Sequence, residues 1–375
     1  MINRRHFSIA AGAAAITHFP AIHAQSDRIL LGQSAAFTGP AAQLGIQFHA
    51  GAKMFFDQLN AQGGAGDRTV ELIKLDDGYE PDRCADNTRK LIEDDVFALF
   101  GYIGTPTSIA ALPLATKAKI PFIAPFTGAM ALRTPLNRYA FHVRASYNDE
   151  TALIIKQLHN VGISKVAVFY QNDAYGKAGL DGVTLALDAL KLKPVALATV
   201  ERNSVDVAKA VETINATMPE AVVQISAYKS CAAYIRAARR AGYGGGFYNV
   251  SFVGTQALAN ELGKEGAGVV VSQVMPTPYN SAKPISREFL EAVRKTNGAV
   301  SANYSSMEGF IAAKVFSEGL RRSNAKSGRE GLIAALESLG SQNIGGFNIN
   351  FSRNDHVASS FVELSMLVGD GKVRT

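Results

Sequence analysis

The chain has 375 residues, 47% of them apolar and 19% charged, which leaves room for two domains with cores of their own and excludes a disordered polymer. Its formal charge of +6 falls to +4 once residues 1–24 are set aside, because Arg4 and Arg5 leave with no acid. There is no run of five like charges and no basic–aromatic motif, so a nucleic-acid surface is excluded.

The first element is a targeting segment. "MINRRHF" is a basic n-region, "SIAAGAAAI" a short apolar h-region, and "AIHA" before Gln25 ends like a signal peptidase site. Residues 1–24 therefore read as a signal peptide. Arg4-Arg5 followed by Phe7 resembles a twin-arginine signal, although an ordinary Sec signal also carries basic residues here. The h-region is too short to span a bilayer, and no later stretch reaches about 18 apolar residues. With no cysteine near the cleavage site, the expectation is a soluble periplasmic protein without a lipid anchor.

Beyond that segment, strand and helix patterns alternate. "RILLGQS" reads as a strand, and residues 43–61 read as a helix with Leu44, Phe48, Ala52, Phe55 and Leu59 on one face. "NAQGGAGD" stops the helix. "RTVELIKL" is a strand, Pro81 opens the next helix, and "VFALFGY", a helix over 109–118 and "IPFIAPF" complete four β units. The pattern restarts after Arg144. A helix carrying Leu153, Ile154, Leu158 and Val161 precedes the strands "SKVAVFYQ", "VALATVE", "AVVQISA" and "FYNVSFVG", with helices near 179–191, 205–217 and 231–241 between them. Residues 286–341 read as mostly helical, and "FNINFS" with "SSFVELSMLVGDGKV" reads as a terminal hairpin around Gly369-Asp370-Gly371. The expectation is an α/β fold of two doubly wound parallel-sheet lobes. Cys84 and Cys231 fall on amphipathic helices in different lobes, so they are expected to be buried and unpaired.

One strand-to-helix turn, "FGYIGTPTS" from Phe100 to Ser108, carries hydroxyls but no lysine or arginine. Strand ends in open α/β sheets face the ligand crevice, and a helix N-terminus offers free N–H groups and positive charge. Thr105, Thr107 and Ser108 there suit a carboxylate better than a triphosphate. The same residues would equally serve as an ordinary helix cap.

Together with that turn, "SAAFTGPAAQLG" (residues 34–45), "LNAQGGAGDRTVELIKLDD" (59–77), "IPFIAPFTG" (120–128) and "FYQNDAYGKAGLDG" (169–182) resemble the type I periplasmic solute-binding proteins. The chain is most similar to their leucine/isoleucine/valine-binding branch, the receptors of ABC transporters. The resemblance implies three chain crossings near Ser146, Pro276 and Ser360. Lobe 1 would comprise 26–145 and 277–360, and lobe 2 would comprise 146–276 and 361–375. It also implies a ligand carboxylate against Gly104-Thr105 and Phe126-Thr127, with Ser34 and Tyr102 at neighbouring strand ends. Tyr175 would close from lobe 2, and Tyr228 and Gln256 would add walls. Such a receptor is expected to be a monomer that works with an inner-membrane permease, without cofactor or metal.

The chain also departs from the family's pattern. The stretch that commonly supplies an acid for the ligand's ammonium group is "SFVGTQAL", which offers Thr255 and Gln256 and no carboxylate. Asp173 is the substitute, unless it caps the following helix. An aromatic expected after "GPAAQ" is Leu44. A carboxylate lacking an amine is therefore a live alternative to an amino acid. No catalytic constellation is present: the histidines past the leader are scattered, and neither H-E-x-x-H nor G-x-S-x-G occurs. An exported sensor for a signalling receptor, or less plausibly an exported α/β enzyme, would share the fold.

Overall fold

The computed structural model describes residues 28–375, so the leader reading lies outside the described residues. The first lobe winds β1 (Arg28–Ala35), α1 (Ala42–Ala61), β2 (Thr69–Asp76), α2 (Pro81–Glu93), β3 (Ala98–Phe100), α3 (Thr105–Lys117), β4 (Phe122–Ile123) and β5 (Ala140–Phe141) into one parallel sheet of order β2-β1-β3-β4-β5. β1 pairs with β2 along its whole length, while β3, β4 and β5 are stubs of two or three residues. Their short ladders free the backbone early, and the following residues turn into the cleft.

The second lobe repeats the winding. α4 (Tyr147–Asn160) leads to β6 (Val166–Gln171), α5 (Ala174–Asp188), β7 (Ala196–Val200), α6 (Ala208–Asn215), β8 (Ala221–Ile225), α7 (Tyr228–Arg240), β9 (Gly246–Asn249), α8 (Thr255–Leu262) and β10 (Val270–Gln273). α9 (Pro284–Lys295), α10 (Tyr304–Arg322) and α11 (Gly328–Glu337) return to the first lobe. There α10 lies along α1, with Phe55 against Phe310 and Phe56 against Phe316 at centroid distances of 5.1 and 6.1 Å. The two helices approach closely because both contact points lack a side chain. A Cβ on Gly51 would sit 1.8 Å from the Ser306 carbonyl oxygen, and one on Gly309 would sit 2.0 Å from that of Phe48.

The tail departs from the sequence expectation. β11 (Gly340–Asn343) and β12 (Asn348–Phe351) form their own antiparallel pair, so "FNINFS" pairs with residues just after α11. β13 (Glu363–Leu367) and β14 (Val373–Arg374) form the expected hairpin and add it antiparallel to β10. The second sheet thus has the order β14-β13-β10-β9-β8-β6-β7. Strand "FYNVSFVG" also ends earlier than expected. β9 stops at Asn249, and Ser251–Val253 form a 3-10 turn that closes on left-handed Gly254. Cys84 and Cys231 are both buried and free, as expected. Among the described residues no helix is long and apolar enough to cross a membrane.

Candidate functional site

The strand ends of the two lobes meet. The turn before α3 begins at Gly104, whose φ of +103° is open only to glycine without strain. Glycine is needed there for space as well, since a Cβ would lie 2.3 Å from the ring of Tyr79. Thr105 follows, 1% exposed, and its hydroxyl is 2.6 Å from the Thr127 hydroxyl. One shared proton joins the pair, so one hydroxyl keeps a hydrogen to donate outward. Thr127 Oγ1 also accepts from the Ala129 N–H. The Phe126 carbonyl takes the Gly104 N–H, which fastens the two turns together.

Aromatic residues from both lobes close a ring around this pair. Phe252 lies 5.7 Å from Phe126, 5.8 Å from Tyr79 and 4.4 Å from Tyr175. Tyr175 lies 5.4 Å from Tyr147, whose N–H donates to the Gly128 carbonyl beside Thr127. The guanidinium of Arg144 completes the ring, 4.3 Å above the face of Phe126, with Nη2 donating to Ser251 Oγ. All of these side chains are buried. Burial pushes the Tyr79 and Tyr175 hydroxyls well above their usual pKa and the Tyr147 hydroxyl up to about 12, so all three remain neutral donors. Outside Thr105, a surface cavity of about 480 Å3 lies between α3 and α5, bounded by Ile109, Met130, Ala178 and Leu185.

Of the residues singled out from the sequence, Gly104, Thr105, Phe126, Thr127 and Tyr175 come together here. The others lie elsewhere, each for a local reason. Tyr102 lies past the end of β3, after left-handed Gly101, and turns under α2, where its ring packs 4.9 Å from Phe122 and its hydroxyl meets Thr88 Oγ1 at 3.1 Å. Ser34 donates to Asp77 Oδ2 at 2.8 Å and serves the β2 turn. Gln256 turns away on α8, donating to Asn260 Oδ1 and the Gly371 carbonyl and accepting from Tyr279. Tyr228 is buried where the lobes touch, with the Gln43 N–H 3.5 Å from its hydroxyl. Leu44 faces Gly254 across the cleft, where a Cβ would lie 2.4 Å from its Cδ2.

Asp173 is a cap. Oδ1 accepts from the Tyr175 and Gly176 N–H groups, and Oδ2 accepts from Gln171 and lies 3.4 Å from Arg202. Buried Glu150 is likewise occupied, by the Ser251 N–H and by the hydroxyls of Ser251 and Ser272. Neither acid is free to meet an ammonium group. The sequence reading missed Tyr79, Arg144, Tyr147 and Phe252. The signal for Tyr79 was its place two residues after the acid pair Asp76-Asp77 that ends β2, and for Phe252 the "SFVG" turn after a strand.

A family model described as periplasmic binding protein matches residues 29–372. Leu/Ile/Val-binding protein homolog 7 of Brucella melitensis is 23% identical over 370 residues, covering 92% of this chain and 90% of that protein. Among solved structures, one described as a possible leucine/isoleucine/valine-binding protein from Rhodopirellula baltica is 35% identical with a TM-score of 0.88, covering 93% of this chain and 96% of that one. A substrate-binding periplasmic protein from Ralstonia solanacearum is 31% identical with a TM-score of 0.86, covering 92% and 99%.

Proposed function

The chain belongs to the periplasmic binding protein family, and on that premise we propose that its ligand is a small carboxylate with an aromatic or branched apolar body, whose α-amino group is not required. Proteins similar to this chain include Leu/Ile/Val-binding homologues and an ABC transporter substrate-binding protein, which supports a solute receptor that serves an ABC permease. The observation that carries the ligand reading is the buried aromatic ring around the Thr105–Thr127 hydroxyl pair, together with the prior commitment of Asp173 and Glu150. A ligand ammonium group inside this ring would lose its water without gaining a free counter-charge from either acid, which is costly. A carboxylate gains the outward hydroxyl and the N-terminus of α3.

Capture follows from closure. The lobes are assigned as 26–145 with 277–360 and 146–276 with 361–375, crossing near Ser146, Pro276 and Ser360. In the open form the ligand rests on Thr105 and Phe126. Rotation about the crossings then brings Tyr175 and Phe252 over it and shifts the population to the closed form. The receptor works as an exported monomer that a permease reads in that form.

The test is thermal unfolding of refolded, ligand-stripped protein with matched pairs: leucine against 4-methyl-2-oxopentanoate, and phenylalanine against phenylacetate and benzoate. A true ligand at about 100 times its Kd stabilises by about 2.7 kcal/mol. Stabilisation by an acid without the amine is expected. Stabilisation by the amino acids alone would overturn the reading.

A further inference from the structure

Four polar atoms in the ring are closed off from solvent with no hydrogen bond in good geometry: Arg144 Nε and Nη1, Tyr175 Oη, and Tyr147 Oη, which has the Thr127 side chain beside it. All four carry hydrogens to donate. Three consecutive neighbours in the ring (Arg144 against Phe126 and Ser251, Tyr175 against Phe252, Tyr147 against Tyr175) thus present donors without an acceptor. Buried donors left unpaired are expensive, and a native protein keeps such a set where something else supplies the acceptor.

We infer that Arg144 is the charge partner of the captured carboxylate and that the hydroxyls of Tyr147 and Tyr175 are its co-donors, so that this trio selects acids over their neutral analogues. The inference rests on the carboxylate reading above and adds the residue that makes the charge matter. A two-oxygen anion offers enough acceptor sites for a guanidinium edge and both phenols, whereas an ammonium group would face a buried cation.

The surroundings fit this role. Arg144 is 1% exposed, and among the described residues the acid at ion-pair distance is Glu308, whose Oε1 lies 3.3 Å from Nε without a hydrogen bond in good geometry, while Glu150 acts on the same charge from further off. Burial works to lower the Arg144 pKa, but Glu308 and Glu150 outweigh it and hold the value above its usual one, so the guanidinium stays a cation inside the ring. The cation is also held in place before any ligand arrives. Arg133 Nη2 donates to the carbonyls of Thr127, Arg144 and Ala145, fixing the hydroxyl turn and the first crossing to each other. That fixes the Arg144 end of the donor set in advance, and closure adds Tyr175 from the other lobe.

The experiment compares phenylacetate with phenylacetamide, and benzoate with benzamide, by titration calorimetry on ligand-stripped protein. The acid should outbind its amide by about tenfold or more in the wild type, as charge-assisted hydrogen bonds require. Removing the cation alone would strand Glu308, so the variant is the neutral pair R144M/E308Q. In it the acid-to-amide ratio should fall by about tenfold. Tyr147→Phe and Tyr175→Phe supply a second measurement should that pair fail to fold. Each deletes an unpartnered hydroxyl, so ligand-free stability should hold or rise while acid affinity falls severalfold. A folded neutral pair with the wild-type ratio would overturn Arg144 as charge partner, and Phe variants with wild-type acid affinity would overturn the two tyrosines as co-donors; either leaves the carboxylate reading standing. A wild type that binds neither acid would overturn both.

Discussion

At the scale of single residues, the site depends on one hydroxyl that is not spent on the fold. Thr105 and Thr127 share one proton between oxygens 2.6 Å apart, and α3 needs neither hydroxyl as an N-cap, because glycine occupies that position. Thr105→Val keeps the shape and removes a donor. Ligand affinity measured by calorimetry should fall by about 1–3 kcal/mol, the cost of leaving a buried charged acceptor underpaired. The thermal midpoint of ligand-stripped protein should stay close to wild type. Equal affinity in a folded variant would make Thr105 a spectator. Tyr102, three residues earlier, shows how finely this turn divides its neighbours. Left-handed Gly101 ends the alternation of β3 and sends the Tyr102 ring to Phe122 in the core, while Thr105 opens α3 after Gly104.

At the scale of elements, the N-terminus of α5 settles what an acid beside the cleft does. Asp173 accepts two backbone N–H groups with one oxygen, the signature of a cap, and a side-chain amide with the other. Asparagine caps helices about as well as aspartate. Asp173→Asn should therefore leave thermal stability within about 1 kcal/mol of wild type and the preference between acids and amino acids unchanged. A selective loss of amino-acid binding in that variant would restore Asp173 as the ammonium partner. The elements themselves were legible because each β-α unit carries its own apolar period and its own stop, such as "NAQGGAGD" after α1. The ring was only half legible. Thr105, Phe126 and Tyr175 follow strand patterns directly. Tyr79 sits at φ +67° in a turn, Phe252 in a 3-10 turn, Arg144 in the irregular segment before α4 and Tyr147 at the first residue of that helix. None of those segments has a period that predicts which way a side chain points, and only tertiary closure brings them together. "FNINFS" was misassigned for a related reason. Its partner strand, Gly340–Asn343, is too polar to register as a strand by pattern.

At the scale of the whole molecule, the fold buries acids and bases that titrate in opposite directions. Burial raises Glu308 to about 7, opposed by Arg144 and Arg133 and reinforced by Glu150, and raises Asp77 to about 6. An acid raised on folding contributes stability that is complete below its unfolded value, near 4.5 for Glu308, and that is lost as pH climbs through its folded value. Histidines buried as neutral rings act the other way. Burial lowers His49 to about 4 and drives His142 well below 6.5, so the stability they withhold in acid returns as pH approaches 6.5. The stability curve of the wild type therefore mixes both signs, and only a difference between proteins isolates one group. Glu308→Gln removes the titration and keeps the shape. Urea midpoints of ligand-stripped wild type and variant, taken from pH 4.5 to pH 8, should diverge in favour of the variant as pH rises towards about 7 and run parallel above it. A constant gap across that range would mean that Glu308 titrates near its ordinary value, and that Arg144 holds a full counter-ion before any ligand arrives.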